Sequence, residues 1–358
     1  MELFKAHQQW ASRPDDERFN NLQELHDACK KYASQAQAKS MAVADLRTEA
    51  NGHDVCIVGK AGNPAQIGHW AFGQLAARVG APASYLRELP PTLACQNLNY
   101  GLANLADKTD TAQLLFHKNG GLLLRAFTSD KYTRIWNWEV AERLLELQQR
   151  GWSPATPDFN TTGDDKPALY ASDHDLFAFV RNNSVTIAEP GNPDGLQRGV
   201  IVENSEVGAS ALKLTRFLYR RMCGNHIIWG ASRVLEISVR HTGEARQRWG
   251  EYQVELNRYL QASAKDEEVS IARAKTLRIA GGKDAVLDKL FGMRNLNLSR
   301  KTLEASYNLT DLHMDTDGDP RTVWGMVQGI TRFSQQTPYA DARNVLDRAA
   351  GKLMEANF

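Results

Sequence analysis

The fold is decided by residues 175–218, which read DLFAFVRNNSVTIAEPGNPDGLQRGVIVENSEVGASALKLTRFL. This segment holds four apolar runs typical of β-strands, at 175–180, 184–188, 199–202 and 211–218. The second and third runs are separated by Pro190-Gly191-Asn192-Pro193-Asp194-Gly195, whose residue types favour tight turns. The segment therefore predicts a meander of antiparallel strands.

Helical spacing follows the meander. From residue 244 onward, large apolar residues recur every three or four positions and predict a long amphipathic helix: Trp249, Tyr252, Leu256 and Tyr259. The rest of the chain has helical periodicity, with breaks at Gly281-Gly282 and at 315–320. We therefore expect an α+β fold, in which a central antiparallel β-meander packs against helices and the C-terminal portion is helical.

The chain before the meander predicts a second α+β region. Asn51-Gly52 lies between the apolar runs 41–46 and 54–58, and Asn119-Gly120-Gly121 also separates two such runs, so both indicate hairpins. Helical spacing extends over 68–105 and continues around Leu144. The expected segments are an N-terminal α+β region (1–152), a linker or long loop rich in Pro, Thr, Gly and Asp (153–167), the meander with its long helix (168–262) and a C-terminal helical region (263–358).

Composition excludes several protein classes. The net charge of +1 over 358 residues means that a nucleic-acid site must come from local clustering of charge. The sequence contains neither a P-loop nor a dinucleotide-binding glycine pattern. Its four cysteines are scattered and form no C-x-x-C, which argues against a structural zinc site or a disulfide framework. Because no secretory signal and no membrane-spanning apolar stretch is visible, we expect a cytoplasmic protein without a membrane partner.

The segment Lys213–Arg248 concentrates positive charge, with eight basic residues against two acidic ones. Aromatic residues are interleaved among them. Arginine forks bind phosphates and aromatic rings stack on unpaired bases, so the pattern is typical of single-stranded nucleic-acid binding. The alternative is that the aromatic residues are core and the arginines form a solvated or subunit-facing surface. The predicted contact residues are Lys213, Arg216, Arg220, Arg221, Arg233, Arg240 and Trp229.

Three other motifs are explained by turns and do not require a metal site or a catalytic site. Cys223-Gly224-Asn225-His226 lacks the further ligands of a zinc site, and its Gly-Asn pair favours a turn. In Asp315-Thr316-Asp317-Gly318-Asp319 the glycine arrives too early for a calcium loop, so we expect an acidic turn before a helix that starts near Pro320. Asp173-His174-Asp175 is explained by a polar turn that opens a strand. We therefore expect no catalytic residue, no metal requirement and no cofactor.

Three segments together resemble a known family: 127–137 (FTSDKYTRIWN), 202–208 (VENSEVG) running on to 219–226, and 322–325 (TVWG) with 329–331 behind it. In this order, and with 70–105, they are similar to the phage and plasmid "domain of unknown function 932" family over roughly residues 40–335. The chain departs from that pattern at His226, where many relatives carry glycine. The resemblance implies residence on mobile elements and assigns no activity.

The function expected from these observations is binding of single-stranded DNA, in support of strand annealing during recombination. A meander followed by a long helix is similar at the level of the fold to ring-forming annealing proteins. The apolar face of the long helix and the uncovered sheet edges favour a homo-oligomer, such as a ring. The alternatives are an interaction protein that inhibits a host defence factor, and a nuclease-type enzyme whose residues converge from distant segments.

Overall fold

The computed structural model describes residues 16–60, 62–105, 109–118, 120–155, 168–220, 225–227, 236–243 and 251–356. The described strands are β1 (Glu17–Phe19), β2 (Ala36–Ala42), β3 (Arg47–Asn51), β4 (Asp54–Val58), β5 (Ala65–Ile67), β6 (Thr111–Lys118), β7 (Leu122–Ser129), β8 (Trp152–Pro154), β9 (Leu169–Ala171), β10 (Leu176–Glu189), β11 (Asn192–Asn204), β12 (Leu212–Arg220), β13 (Asn225–Ile227) and β14 (Glu236–Val239). The described helices are α1 (Leu22–Ser34), α2 (His69–Arg78), α3 (Ala83–Glu88), α4 (Pro91–Ala103), α5 (Asn137–Gln148), α6 (Tyr252–Gln261), α7 (Lys265–Thr276), α8 (Lys283–Phe291), α9 (Arg300–Leu312), α10 (Met314–Asp317), α11 (Val323–Ser334) and α12 (Ala340–Met354). No described helix combines the length and the apolarity that crossing a membrane requires.

The predicted antiparallel meander is confirmed as the centre of an eight-stranded sheet. Its order is β1-β9-β10-β11-β12-β13, with β8 added to β10 and β14 added to β12. The two apolar runs predicted at 175–180 and 184–188 form one strand, β10, with a bulge between Asn182 and Thr186. The Asn182 carboxamide accepts hydrogen bonds from the backbone N and the hydroxyl of Ser184, so the chain bends there without leaving the sheet.

The turn between β10 and β11 is shorter than the predicted turn cluster. Glu189 pairs with Asn192, so the connection consists of Pro190 and Gly191 alone. Gly191 has a φ of +81°, a conformation that glycine adopts without steric cost. The other turn-type residues of the cluster, Asn192 to Gly195, already belong to β11.

A second, six-stranded sheet has the order β2-β6-β7-β5-β4-β3. The hairpin predicted at Asn51-Gly52 is present, but its first strand is β3 and not the apolar run at 41–46. That run instead ends β2 and forms a short 3-10 turn, Val43–Asp45. Helices α2, α3 and α4 pack on one face of the sheet through Phe72, Leu86 and Leu98.

The eight-stranded sheet takes elements from both sides of the predicted linker 153–167, and Ser153 and Pro154 of that segment themselves belong to β8. Strand β1 pairs with β9, and β8 pairs with β10. Helices α1 and α5 pack against the meander, because Leu25 and Leu144 share one core with Val200 and Leu214. The chain before residue 152 therefore contributes to both sheets.

The C-terminal helices α7, α8, α9, α11 and α12 pack around a second core, with members such as Leu287, Leu303 and Leu353. Ile187, Leu196 and Leu218 of the meander also contribute to it. The predicted breaks are present, and Gly281 and Gly318 have φ values of +101° and +87°. Helices α9 and α11 cross at Gly329, where a Cβ atom would overlap the Ser306 carbonyl oxygen and the Thr310 hydroxyl. The crossing therefore requires glycine.

The variant Gly329→Ala should lower the free energy of unfolding by about 1–3 kcal/mol, because the added methyl group must separate two packed helices. Gly73→Ala in α2 is the matched control, since a Cβ there meets only the Arg87 guanidinium at 3.5 Å. Alanine favours the helix, so the control should be neutral or more stable by up to about 1 kcal/mol. Urea denaturation measures the free energy of unfolding of both variants. Equal unfolding midpoints would contradict the close packing of α9 and α11 at Gly329.

Asp347 of α12 is almost completely buried, and burial raises the pKa of its carboxyl group to about 8. Its Oδ1 lies 2.6 Å from the Ser334 hydroxyl oxygen, which also lies 2.8 Å from the Thr331 carbonyl oxygen. A protonated Asp347 can donate to Ser334, which leaves the serine proton for Thr331.

The folded state keeps the Asp347 proton up to about pH 8, whereas the unfolded state loses it near about pH 4. This group therefore stabilises the fold fully at acid pH, and its contribution is lost progressively as the pH rises from about 4 to about 8. The variant Asp347→Asn cannot ionise, so its melting temperature relative to the parent should increase over that range. Exposed Asp311→Asn serves as the control, and a difference between Asp347→Asn and the parent that is constant with pH would refute the raised pKa.

Candidate functional site

Two of the basic residues predicted to contact DNA have acidic partners inside the protein. Arg220 is buried; its Nε lies 2.9 Å from a Glu189 oxygen and its Nη1 lies 3.3 Å from an Asp317 oxygen. The Lys213 ammonium lies 3.1 Å from a Glu203 oxygen. The positive charges of these two residues are thus compensated within the chain.

The other predicted contact residues have different surroundings. Arg216 is half-buried near Tyr259 and Glu267, and burial lowers the pKa of its guanidinium. Arg240 is exposed. The remaining three, Arg221, Trp229 and Arg233, lie outside the described residues, as do Cys223 and Gly224.

Strand β12 offers no open platform for bases. On one face, Leu214 packs into the core that α1, α5 and α6 cover. On the other face, Phe217 and Tyr219 pack into a core that includes Ala340, the first residue of α12. The Arg348 guanidinium of α12 donates to the Thr215 hydroxyl at 3.0 Å on the same side. Side chains on both faces of β12 are therefore engaged by helices.

The acidic turn at 315–319 is an internal partner of the basic strand. Asp317 is completely buried and also accepts a 2.7 Å hydrogen bond from Arg332. The turn does precede a helix, but α11 begins at Val323 and not near Pro320, because the Thr322 hydroxyl caps the Gly325 N–H. Two motifs that look independent in the sequence thus neutralise each other.

The apolar face of the long helix is also used internally. Tyr252, Leu256 and Tyr259 are at most 2% exposed and pack against the meander. Trp249 lies outside the described residues. This face therefore gives no reason to expect a ring, since the surface from which self-association was inferred is covered by the chain's own sheet.

The loop after β11 is anchored by a buried carboxylate. The Glu206 Oε2 atom lies 3.0 Å from Arg125 Nη1, and both side chains are 3% exposed. Glu206 Oε1 accepts a 2.8 Å hydrogen bond from the Asn137 N–H, at the first residue of α5. An anion at a helix N-terminus is favourable, and a buried charge needs such partners. Glu206 therefore joins the six-stranded sheet, this loop and α5.

Side chains on both sides tie the same loop to β7 and α2. The Tyr132 hydroxyl donates to the Ser205 carbonyl oxygen at 2.6 Å. The Gln74 carboxamide donates to the Val207 carbonyl oxygen at 2.7 Å and accepts from the Phe127 N–H at 2.8 Å. Gln74 thus connects two of the segments on which the family resemblance rests.

A pocket of about 500 Å³ lies where these segments meet, a volume in the range of small-molecule sites. It is lined by Gln74, Ala77, Arg78, Phe127, Thr128, Ser129, Tyr132 and Gly208. Gly208 has a φ of +82°, and a Cβ there would lie 3.3 Å from the Thr128 methyl group and 3.4 Å from Gln74 Nε2. Glycine therefore permits the close packing of this wall.

The pocket can form hydrogen bonds but is not equipped for acid–base chemistry. None of its eight lining residues is a histidine, a cysteine or an acid. Burial raises the pKa of the Tyr132 phenol, which therefore stays protonated. Arg78 is ion-paired with Asp110 at the edge of the pocket. Because the Tyr132 and Thr128 hydroxyl groups already donate to backbone oxygens, a polar or anionic group in the pocket would be held by the Ser129 hydroxyl, the second N–H of the Gln74 carboxamide and the Arg78 guanidinium.

The ring of Tyr132 is already stacked inside the protein. It lies 5.0 Å from the ring of His241, and the Arg134 guanidinium lies 5.6 Å from its centre. Burial lowers the pKa of His241, so its ring is more readily neutral. Exposed Arg240 precedes His241 in the chain, and exposed Lys131 precedes Tyr132.

The turn at Asp173-His174-Asp175 is present as predicted and joins β9 to β10. Ser172, His174 and Asp175 resemble a catalytic triad in composition, but His174 Nδ1 faces both the Ser172 hydroxyl at 2.8 Å and the Asp175 carboxylate at 3.1 Å. A proton relay needs serine and acid on opposite ring nitrogens. The three residues therefore close the turn and do not form a triad.

Glu206→Gln should lower the free energy of unfolding by about 3–5 kcal/mol, because Arg125 would remain buried without its ionic partner. Glu146→Gln is the control: its pair with Arg143 is exposed, and its loss should cost at most about 1 kcal/mol. Chemical denaturation measures both values. A Glu206→Gln protein as stable as the control would show that this ion pair does not hold the loop.

Comparison with known proteins identifies the family. The model of the domain of unknown function (DUF932) matches residues 126–355, which starts and ends later than the span expected from the sequence resemblance. No curated protein and no solved structure matches the chain. The matched region covers more than half of the chain and includes the second half of β7, Tyr132 and Gly208, whereas Gln74 and Arg78 lie before it. The chain belongs to the DUF932 family.

Proposed function

We propose that the protein binds single-stranded DNA without covalent chemistry and promotes strand annealing. We further propose that the pocket at Tyr132 and Gly208 receives the sugar–phosphate backbone of the strand. The observation that carries the proposal is the lining of this pocket by donor groups, next to the exposed cations Lys131 and Arg240. Phosphate oxygens accept hydrogen bonds from hydroxyl, amide and guanidinium groups of this kind.

The stacked state of Tyr132 favours backbone contact over base contact. Its ring already contacts His241 and Arg134, so it is not a free platform for a base. An annealing protein has to leave bases accessible for pairing with a second strand. The other aromatic residue of the lining, Phe127, is packed into the core of the six-stranded sheet. A pocket whose aromatic rings are already packed suits that requirement, unlike sites where bases are held on aromatic rings.

The electrostatic contribution should be small. Asp110 neutralises Arg78, and the exposed acid Asp130 directly precedes Lys131 in the chain. Lys131 and Arg240 therefore support contact with one or two phosphates, and binding should depend on salt only moderately. Two of the contact residues predicted from the sequence do not contribute, because Arg220 is engaged by Glu189 and Asp317 and Lys213 by Glu203.

The double variant Lys131→Ala/Arg240→Ala should bind labelled single-stranded oligonucleotides more weakly than the parent, whatever their sequence. Each phosphate contact that is lost should make the dependence of log K on log salt shallower by about 0.7. Fluorescence anisotropy at several salt concentrations measures both effects. The control is Arg294→Ala/Lys301→Ala, which removes one arginine and one lysine from exposed positions in the C-terminal helical part. It should change neither the affinity nor the salt dependence of binding.

Equal affinity and equal salt slope for the two double variants would remove the pocket from the proposal. A parent protein that binds no oligonucleotide at low salt would overturn the function itself and favour the inhibitor of a host factor. Arg220→Ala does not test DNA binding, because it leaves Glu189 and Asp317 buried without their partner and acts on stability.

A further inference from the structure

The connection between β2 and β3 forces the six-stranded sheet to curl. The strand order places β2 and β3 at opposite edges, which would lie about 24 Å apart if the sheet were flat. The chain nevertheless passes from the end of β2 to the start of β3 through residues 43–46 alone. Such a connection reaches at most about 18 Å when it is fully extended. The two edges are therefore bent toward each other, and the sheet has a concave face.

A pocket of about 580 Å³ lies on this concave face. Leu114 of β6 and Ile57 of β4 both line it, although two strands separate β6 from β4 in the sheet. The same two side chains share a core with Phe72 of α2 and Leu98 of α4. None of the described lining residues belongs to α2, α3 or α4. The pocket is therefore the part of the concave face that these helices leave open.

The floor of the pocket is apolar. It is formed by six side chains from four strands and from the turn after β2: Met41, Leu46, Ile57, Leu114, Phe116 and Leu122. A Cβ atom at Gly59 would lie 2.4 Å from Met41 Cε, so the loop after β4 packs directly against this methionine. Methionine side chains are flexible and adapt to the shape of their neighbours. The floor can therefore fit an apolar group and adjust to its shape.

The mouth of the pocket carries two exposed lysines. Lys39 pairs with Leu114 in the ladder between β2 and β6, so both side chains lie on the same face of the sheet. The Lys39 ammonium lies 6.0 Å from the centre of the Phe116 ring, and in the described part of the chain no acidic side chain pairs with it. The Lys60 ammonium lies 3.7 Å from an Asp45 oxygen in a solvent-exposed pair, which contributes little. The mouth therefore favours an anion.

We propose that this pocket binds a small carboxylate with an apolar chain. The chain lies on the floor, where it is removed from water, and the carboxylate stays at the mouth between Lys39 and Lys60. The volume is in the range of small-molecule sites, which combine an apolar lining with a few charged groups that fix orientation. The inference is independent of the proposed DNA binding, because the described lining shares no residue with the pocket at Tyr132 and Gly208.

The test titrates the full chain with sodium decanoate at neutral pH in isothermal titration calorimetry. We expect one saturable site. Decyltrimethylammonium carries the same chain with a positive head group, and butyrate carries the same head group on a short chain. Each should bind about tenfold or more weakly than decanoate, because the first lacks the charge that the lysines select and the second lacks the apolar surface.

Two variants separate the roles of the mouth and of the open space. Lys39→Glu/Lys60→Glu reverses both charges and should weaken decanoate binding by about tenfold or more, while decyltrimethylammonium binding becomes tighter. Gly62→Trp places a ring at the mouth, where a Cβ atom meets nothing within 4 Å, and should obstruct the pocket with a similar loss. The control is Gly282→Trp before α8, where a Cβ atom also meets open space; it should bind as the parent does.

Circular dichroism and melting temperatures show whether each variant is folded, and Gly62→Trp keeps the test valid if the charge-reversed protein is not. A parent protein without saturable decanoate binding would overturn the site. Equal affinities for decanoate and decyltrimethylammonium would refute the selection of an anion. Decanoate binding that is unchanged in both folded variants would place the ligand elsewhere and overturn the proposal equally.

Discussion

The requirement that buried guanidinium groups have acidic and carbonyl partners controls how the layers of this protein assemble. Arg198 of β11 is completely buried and pairs with Glu267 of α7 at 2.7 Å. It also donates to backbone carbonyl oxygens at the end of α6, including those of Tyr259 and Ala262. The meander and the C-terminal helices can meet only where this cation finds all these acceptors, because a buried charge without partners costs several kcal/mol. Arg125 and Arg220 impose the same condition at two other junctions.

This internal use of charge explains what the sequence could and could not show. The strand and turn pattern predicted the meander, because alternation and the Pro-Gly pair act over a few neighbouring residues. The breaks at Gly281 and Gly318 were visible for the same reason. Charge partners were not visible: Arg220 is separated by 31 residues from Glu189 and by 97 from Asp317. The binding partner of a basic cluster therefore cannot be read from the sequence alone, because it depends on whether the fold brings acidic residues from distant segments close to the cluster.

The candidate sites follow the same rule. The pocket combines Gln74, Thr128 and Gly208, which no local pattern links, and only the family resemblance had marked two of its segments. The helix face at Tyr252 was recognised as apolar, but its partner was the chain's own sheet. The local sequence indicates which interactions a segment can form, and tertiary packing determines which part of the protein it forms them with.

The bridge made by Gln74 limits how helix α2 of this protein can change in length. Its carboxamide links β7 to the loop after β11, because it accepts a hydrogen bond from the Phe127 N–H and donates one to the Val207 carbonyl oxygen. A residue inserted into α2 before position 74 would rotate that side chain by about 100° around the helix axis and break both bonds. Two backbone groups would then lose their partners at once. Insertions and deletions should therefore accumulate in the connections around α2 and be excluded from the helix itself, so that its spacing is inherited as a unit even where its outward-facing residues diverge.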